Sequence, residues 1–163
     1  MTENVRITID DKTVDLPVLE ASEGANVVDV RSLIAEGIYT YDPGFLSTAA
    51  CDSRVTYIDG DAGILLYRGY PIEQLAEKAD FVEVCYLLIY GHLPSAEQLA
   101  DFRDKLTHHS LIHEDMKKFF EGYPPTAHPM AILSAMVASL SAYYPEEDGD
   151  TNIVRLLAKL NTI

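Results

Sequence analysis

Hydrophobic positions along the chain change their period once. Up to Gly69 they tend to alternate, and beyond it they recur every three or four residues. Val5, Ile7 and Ile9 share one face of an extended run, Asp10-Asp11-Lys12 turns the chain, and Thr13–Leu16 returns, which predicts a small hairpin. Pro17 has no amide to donate and is expected at an edge or a strand end. Val27–Leu33 reads as a strand followed by a short helical turn that Gly37 ends. Ile38–Tyr41 reads as another short strand, and Asp42-Pro43-Gly44 as a tight turn. A second hairpin follows: Val55–Ile58 and Ile64–Tyr67 flank the loop Asp59–Gly63, and their β-formers contrast with the helical pattern after them.

The second part is a succession of helices. Pro71 suits the first helical position of Ile72–Lys78. Asp80 is placed to cap Phe81–Tyr90, which is apolar almost all round and is therefore expected to be deeply buried before Gly91 stops it. Ser95 and Gln98 have the spacing of a capping box ahead of Leu99, Phe102 and Leu106. Leu111–Glu121, Met130–Tyr143 and Thr151–Leu160 continue the series. In Met130–Tyr143 the small side chains among Ile, Leu and Val suit the close approach of another helix. The last helix puts Ile153, Leu156, Leu157 and Leu160 on one side, with Arg155 and Lys159 together at i,i+4 on another. The pattern predicts a mainly α protein with a small β-rich region at its N-terminus. Little chain follows the newly begun last helix, so the sequence reads as a fragment of a longer protein.

Composition narrows the function classes. The 163 residues carry 12 basic and 26 acidic side chains, a net charge of -14, which disfavours broad contact with nucleic acid or an anionic membrane. No apolar run is long enough to predict a transmembrane helix. MTENVRITIDD lacks the basic and apolar regions of a secretory signal, and Cys51 and Cys85 are too few for a disulfide framework, so a cytoplasmic location with reduced thiols is expected.

Familiar catalytic patterns are missing. His109 and His113 have the spacing of a shared helix face, but Ser110 stands where a zinc-protease helix needs Glu, and no further ligands are identified, so no metal site is expected. The serines at 134, 139 and 141 lack the GxSxG elbow, and neither GxGxxG nor a P-loop occurs, so no cofactor is expected. Asp59 and Asp61 are better read as bonding to their own loop than as paired catalytic carboxylates. His128 reads as a cap and Cys85 as inert packing. One constellation carries chemistry: His108, His109, Tyr144, Arg155 and Lys159 lie on helices or helix ends that a bundle could gather. Arg and Lys at i,i+4 beside an aromatic ring suit a ligand with phosphate and a base, and the competing reading is a solvated basic face.

VTYIDGDAGILLYRGYPIEQLA, at Val55–Ala76, strongly resembles the N-terminal motif of citrate synthases. The resemblance continues through YDPGF (Tyr41–Phe45), EVCYLLIYGHLP (Glu83–Pro94), HHSLIHE (His108–Glu114), HPMAIL (His128–Leu133) and RLLAKL (Arg155–Leu160). The early β segment resembles the extra domain of the bacterial type II enzymes, which implies a division into 1–48 and 49–163, the latter a hairpin plus part of the helical large domain. 2-Methylcitrate synthases usually lack that segment and rank second. The family condenses acetyl-CoA with oxaloacetate to citrate and CoA. Its Asp base, its carbonyl-polarising His and its oxaloacetate-binding His and Arg lie beyond this stretch, so no residue here inherits a catalytic role and an inactive fragment is implied. The type II resemblance also implies a homo-oligomer, dimer or hexamer, with an allosteric NADH site. Matching positions are His109, Ser110, Tyr144, Arg155 and Lys159, the last two toward phosphate and Tyr144 and His109 toward adenine. His108 stands where NADH-regulated members carry Arg, and Leu111 where they carry Met. A neutral imidazole makes no bidentate phosphate contact, so weakened or absent inhibition by NADH is implied. A stand-alone regulatory or oligomerisation module that binds an adenine nucleotide is the rival from another class.

Overall fold

The computed structural model describes residues 4–145 and 148–163; Met1–Glu3 at the N-terminus, and Glu146 and Glu147 of the acidic loop, lie outside them. The chain forms two compact units, one to Ala79 and one from Asp80.

The first unit holds two three-stranded antiparallel sheets. In one, β1 (Asn4–Ile9), β2 (Lys12–Leu19) and β3 (Val27–Val28) stand in sequence order. The register sets Ile7 opposite Val14 and Arg6 opposite Asp15, whose side chains form a two-pronged ion pair at 2.7 and 3.1 Å. Leu16 is fully buried. Pro17 departs from expectation, because it lies within the middle strand. The sheet tolerates it because pairing with β3 starts only at the next residue, Val18, and the Pro17 carbonyl still accepts from the Asp29 amide at 2.8 Å. The helical turn after β3 is a 3₁₀ helix, Arg31–Glu36, ended by Gly37 in the left-handed region. The short strand expected at 38–41 does not form. Ile38 folds back onto the Leu33 carbonyl, no strand pairs with this stretch among the described residues, and Tyr39 and Tyr41 are strongly exposed. At the tight turn, Phe45 bonds back to the Asp42 carbonyl, and the Asp42 carboxylate collects the Leu46 and Ser47 amides and the Thr48 hydroxyl.

The second sheet is β4 (Thr56–Asp59), β5 (Ile64–Tyr67) and β6 (Tyr70–Pro71), followed by α1 (Ile72–Lys78) with Leu75 buried. Asp59 accepts the amides of Asp61 and Ala62 at 3.1 and 2.9 Å, the loop-stabilising role expected of it.

Three carboxylates give this unit an acid sensitivity. Arg31 hydrogen bonds hold Asp29 down at about 2, Arg6 lowers Asp15, and Thr48 with the Ser47 amide lowers Asp42, each below the ordinary 3.8. A folded value below the unfolded one means that the unfolded chain binds more protons as the solution is acidified. The stabilisation is present above the ordinary carboxylate value and is lost as pH falls through the folded values, between about pH 4 and about pH 2. The melting temperature of Asp29→Asn should lie below that of the parent at neutral pH and converge with it across that window. A gap that stays constant down to the acid end would contradict the assignment.

The second unit is helical: α2 (Phe81–Tyr90), α3 (Ala96–His108), α4 (Lys117–Glu121), α5 (Pro129–Tyr143) and α6 (Gly149–Leu160). Full capping boxes open α2, from Asp80 and Glu83, and α3, from Ser95 and Gln98. Arg103 of α3 also pairs with the Asp80 carboxylate, tying the start of α2 to its neighbour. Asp80→Ala is expected to cost about 1 kcal/mol through the lost cap, read as a lowered urea midpoint; Asp80→Asn should retain most of it.

α3 packs against both α2 and α6. Their shared core centres on Tyr86, Phe102 and Val154, with Val82, Cys85, Ile89, Tyr90, Leu106 and Leu157 around it. Burial raises the Cys85 thiol, as its packing role leads one to expect. The Phe102 ring takes Tyr86 and Tyr90 edge-on, at centroid distances of 5.4 and 6.0 Å. α2 is less buried than its composition predicts. Only Tyr86 and Leu87 are enclosed and Phe81 is exposed, because this core covers one side of the helix.

Two further differences bear on the candidate site. The helix expected over 111–121 is reduced to a 3₁₀ turn at Glu114–Met116 and α4. The Asp115 amide, which that longer helix would direct at Leu111, bonds instead to Nδ1 of His113. On α6, Val154, Ala158 and Lys159 are buried while Leu156 and Leu160 are exposed, so the helix faces inward about one position away from the expected stripe.

Candidate functional site

The predicted constellation converges on the end of α3, the strap 109–111 that leaves it, Tyr144 after α5, and α6. His109 caps the C-terminus of α3, its amide bonding to the Lys105 carbonyl at 3.1 Å. The Ser110 hydroxyl donates to the Thr107 carbonyl at 2.8 Å. Asp148 caps α6 by accepting the Thr151 amide at 2.9 Å, and this fixes the helix that carries Arg155 and Lys159.

Lys159 is the decisive residue. It is 2% exposed, so the solvated-face reading does not describe it. Its ammonium donates to the carbonyls of His109 at 2.8 Å and Leu111 at 2.6 Å, and lies 4.0 Å from the centroid of the Tyr144 ring. The Tyr144 hydroxyl donates to the same Leu111 carbonyl at 3.3 Å. Arg155 approaches that ring too, its guanidinium carbon 5.9 Å from the centroid. Burial, and then the neighbouring Arg155 charge, lower the Lys159 ammonium from its ordinary value. An aromatic face, a guanidinium and an ammonium thus share one locality, a combination with the chemistry to hold an anionic aromatic ligand.

The remaining candidates sit differently. His108 turns back along α3, with Nδ1 donating to the Asp104 carbonyl at 2.9 Å beside the Asp104 carboxylate. Leu111 is 77% exposed. His113 caps the 3₁₀ turn, so it shares no helix with His109, and among the described residues no three metal-ligating side chains gather. His128 caps α5 as expected, accepting the Met130 amide at 3.1 Å. Sequence reading missed Thr162, whose hydroxyl donates to the Ser110 carbonyl at 2.6 Å. Its signal was position: three residues after Lys159, it falls on the same side as the helix ends.

A helical unit with a cation-and-aromatic cluster at its C-terminal end, preceded by a β-rich unit, is the class these features define. A family model described as citrate synthase, C-terminal domain, matches residues 44–163. The chain belongs to the citrate synthase family. Citrate synthase 1 from two strains of Mycobacterium tuberculosis is 54% identical over 158 residues, covering 92% of this chain and 37% of theirs. The chain therefore spans little over a third of the length of these relatives. Among solved structures, the ternary complex of carboxymethyl coenzyme A and oxaloacetate with citrate synthase from Thermoplasma acidophilum superposes with a TM-score of 0.64 at 26% identity, over 71% of this chain and 32% of that one. Citrate synthase from Thermotoga maritima gives a TM-score of 0.63 at 28% identity, over 73% and 32%. Both support the mainly α fold. Among the described residues no helix is long and apolar enough to cross a membrane.

Proposed function

We propose that this chain is the scaffold portion of a cytoplasmic, homo-oligomeric citrate synthase that condenses acetyl-CoA with oxaloacetate to give citrate and CoA. The 54% identity to the mycobacterial enzymes across nearly the whole chain carries this reading. The complex of the Thermoplasma relative with carboxymethyl coenzyme A and oxaloacetate supports the substrate pair. That chemistry needs a base to take the acetyl methyl proton and an acid to polarise the thioester carbonyl. No residue among these 163 is assigned either task, so the chain by itself is inactive. In this reading residues 1–48 form the N-terminal β-rich domain and 49–163 open the large domain, a division supported by a family match that begins at residue 44.

A thiol-release assay with acetyl-CoA and oxaloacetate tests the assignment. The 163-residue chain should give no turnover above background, and a form extended by the remainder found in its relatives should turn over. Robust turnover by the short chain overturns the scaffold reading. Faster release from propionyl-CoA by the extended form would favour the 2-methylcitrate reading.

The convergence of His109, Ser110, Tyr144, Arg155 and Lys159 supports a second role, an allosteric nucleotide site for NADH. Arg155 meets phosphate, while Tyr144 and His109 flank the adenine. With the His108 ring held on the Asp104 carbonyl, weak affinity is expected. Calorimetric titration with NADH should give saturable binding that Arg155→Ala diminishes; unchanged affinity in that variant would remove the site.

A further inference from the structure

Three consecutive backbone carbonyls, those of His109, Ser110 and Leu111, are all taken by donors from the end of α6. Lys159 Nζ reaches the first and third at 2.8 and 2.6 Å, and Thr162 Oγ1 reaches the second at 2.6 Å. An ammonium has three N–H groups. Two are spent on these carbonyls, and the Tyr144 ring, 4.0 Å away, occupies the remaining side. Lys159 is also almost wholly enclosed. A charge-assisted bond to a phosphate oxygen needs an N–H aimed at it from about 2.7–2.9 Å. In this arrangement Lys159 has none to offer, although Arg155 lies beside the same ring.

We propose that Lys159 and Thr162 form a clasp that positions the strap 109–111, and that an anionic ligand competes with the strap for the Lys159 ammonium. The second half rests on the nucleotide reading above. A phosphate that recruits Lys159 must take it from at least one carbonyl, so ligand binding loosens the strap. The site is thereby coupled to the exit of α3 through Lys159. Once the ammonium leaves, the Ser110 and Leu111 carbonyls keep the Thr162 contact and the weaker Tyr144 contact.

Amide hydrogen exchange in the full chain reads this directly. In Lys159→Met, the amides of residues 110–113 should exchange about tenfold faster, the scale of losing charge-assisted bonds, while amides in the middle of α2 and α3 keep their parent rates. Unchanged strap exchange overturns the clasp. Thr162→Val removes one bond at an exposed position and keeps the shape; it should accelerate the same amides by a smaller factor, and it decides the question if Lys159→Met does not fold. Adding inorganic pyrophosphate, or NADH, to the parent at matched ionic strength should accelerate strap exchange as binding saturates. Saturable binding with an unchanged or slowed strap overturns the competition. No saturable binding of either probe overturns the competition together with the nucleotide reading, while the clasp still stands or falls on the two variants.

Discussion

Phe102→Ala should destabilise the helical unit by about 3–5 kcal/mol, the range for removing a buried aromatic side chain and leaving a cavity. Phe102 is 2% exposed and holds α3 between its neighbours, with Tyr86 and Tyr90 of α2 in T-shaped contact with its ring and Val154 of α6 in the same core. Such a loss approaches the whole stability of a small domain, about 5–15 kcal/mol, so the variant should melt far earlier or lose cooperative unfolding. Urea unfolding followed by circular dichroism checks it, with Phe102→Leu as a milder control that keeps most of the apolar volume. A Phe102→Ala midpoint close to that of the parent would mean that α2, α3 and α6 do not share this core.

Lys159→Met is expected to be the next largest, at about 1–3 kcal/mol. The substitution strands the His109 and Leu111 carbonyls, and part of that loss is offset because a buried ammonium no longer has to shed its water. The pH dependence separates the two effects. Burial and Arg155 lower the folded Lys159 value from 10.5. In the alkaline window between the folded and unfolded values the unfolded chain binds more protons, so stability rises with pH there. The cost of keeping the charge buried applies in full below the folded value and disappears as pH passes 10.5. Chemical denaturation of parent and variant should show the parent's advantage constant at neutral pH and widening toward alkaline pH. An advantage that shrinks instead would show that the folded state favours the charged form.

Local signals carried much of the fold. Asp80 with Glu83, and Ser95 with Gln98, placed the starts of α2 and α3, because a cap depends only on neighbours within one turn. The Asp59–Gly63 loop fixed its hairpin for the same reason. The sequence patterns failed where partners come from far along the chain. The 38–41 run has the residues of a strand but finds no strand to pair with among the described residues. The helix expected over 111–121 shortens where the Leu111 carbonyl at its start is engaged by both Lys159 and Tyr144, more than thirty residues away.

The candidate site divides in the same manner. Sequence alone determined which residue types are available, that Arg155 and Lys159 share a helix face, and which family the motifs resemble. Only the tertiary structure decided that Lys159 is enclosed, that its ammonium is turned on the strap, and that Thr162 joins it. The physical reason is that Lys159 bonds to backbone carbonyls. Every residue carries one, so no side-chain pattern marks which of them a distant lysine will meet, and the choice is made when α3 and α6 pack together.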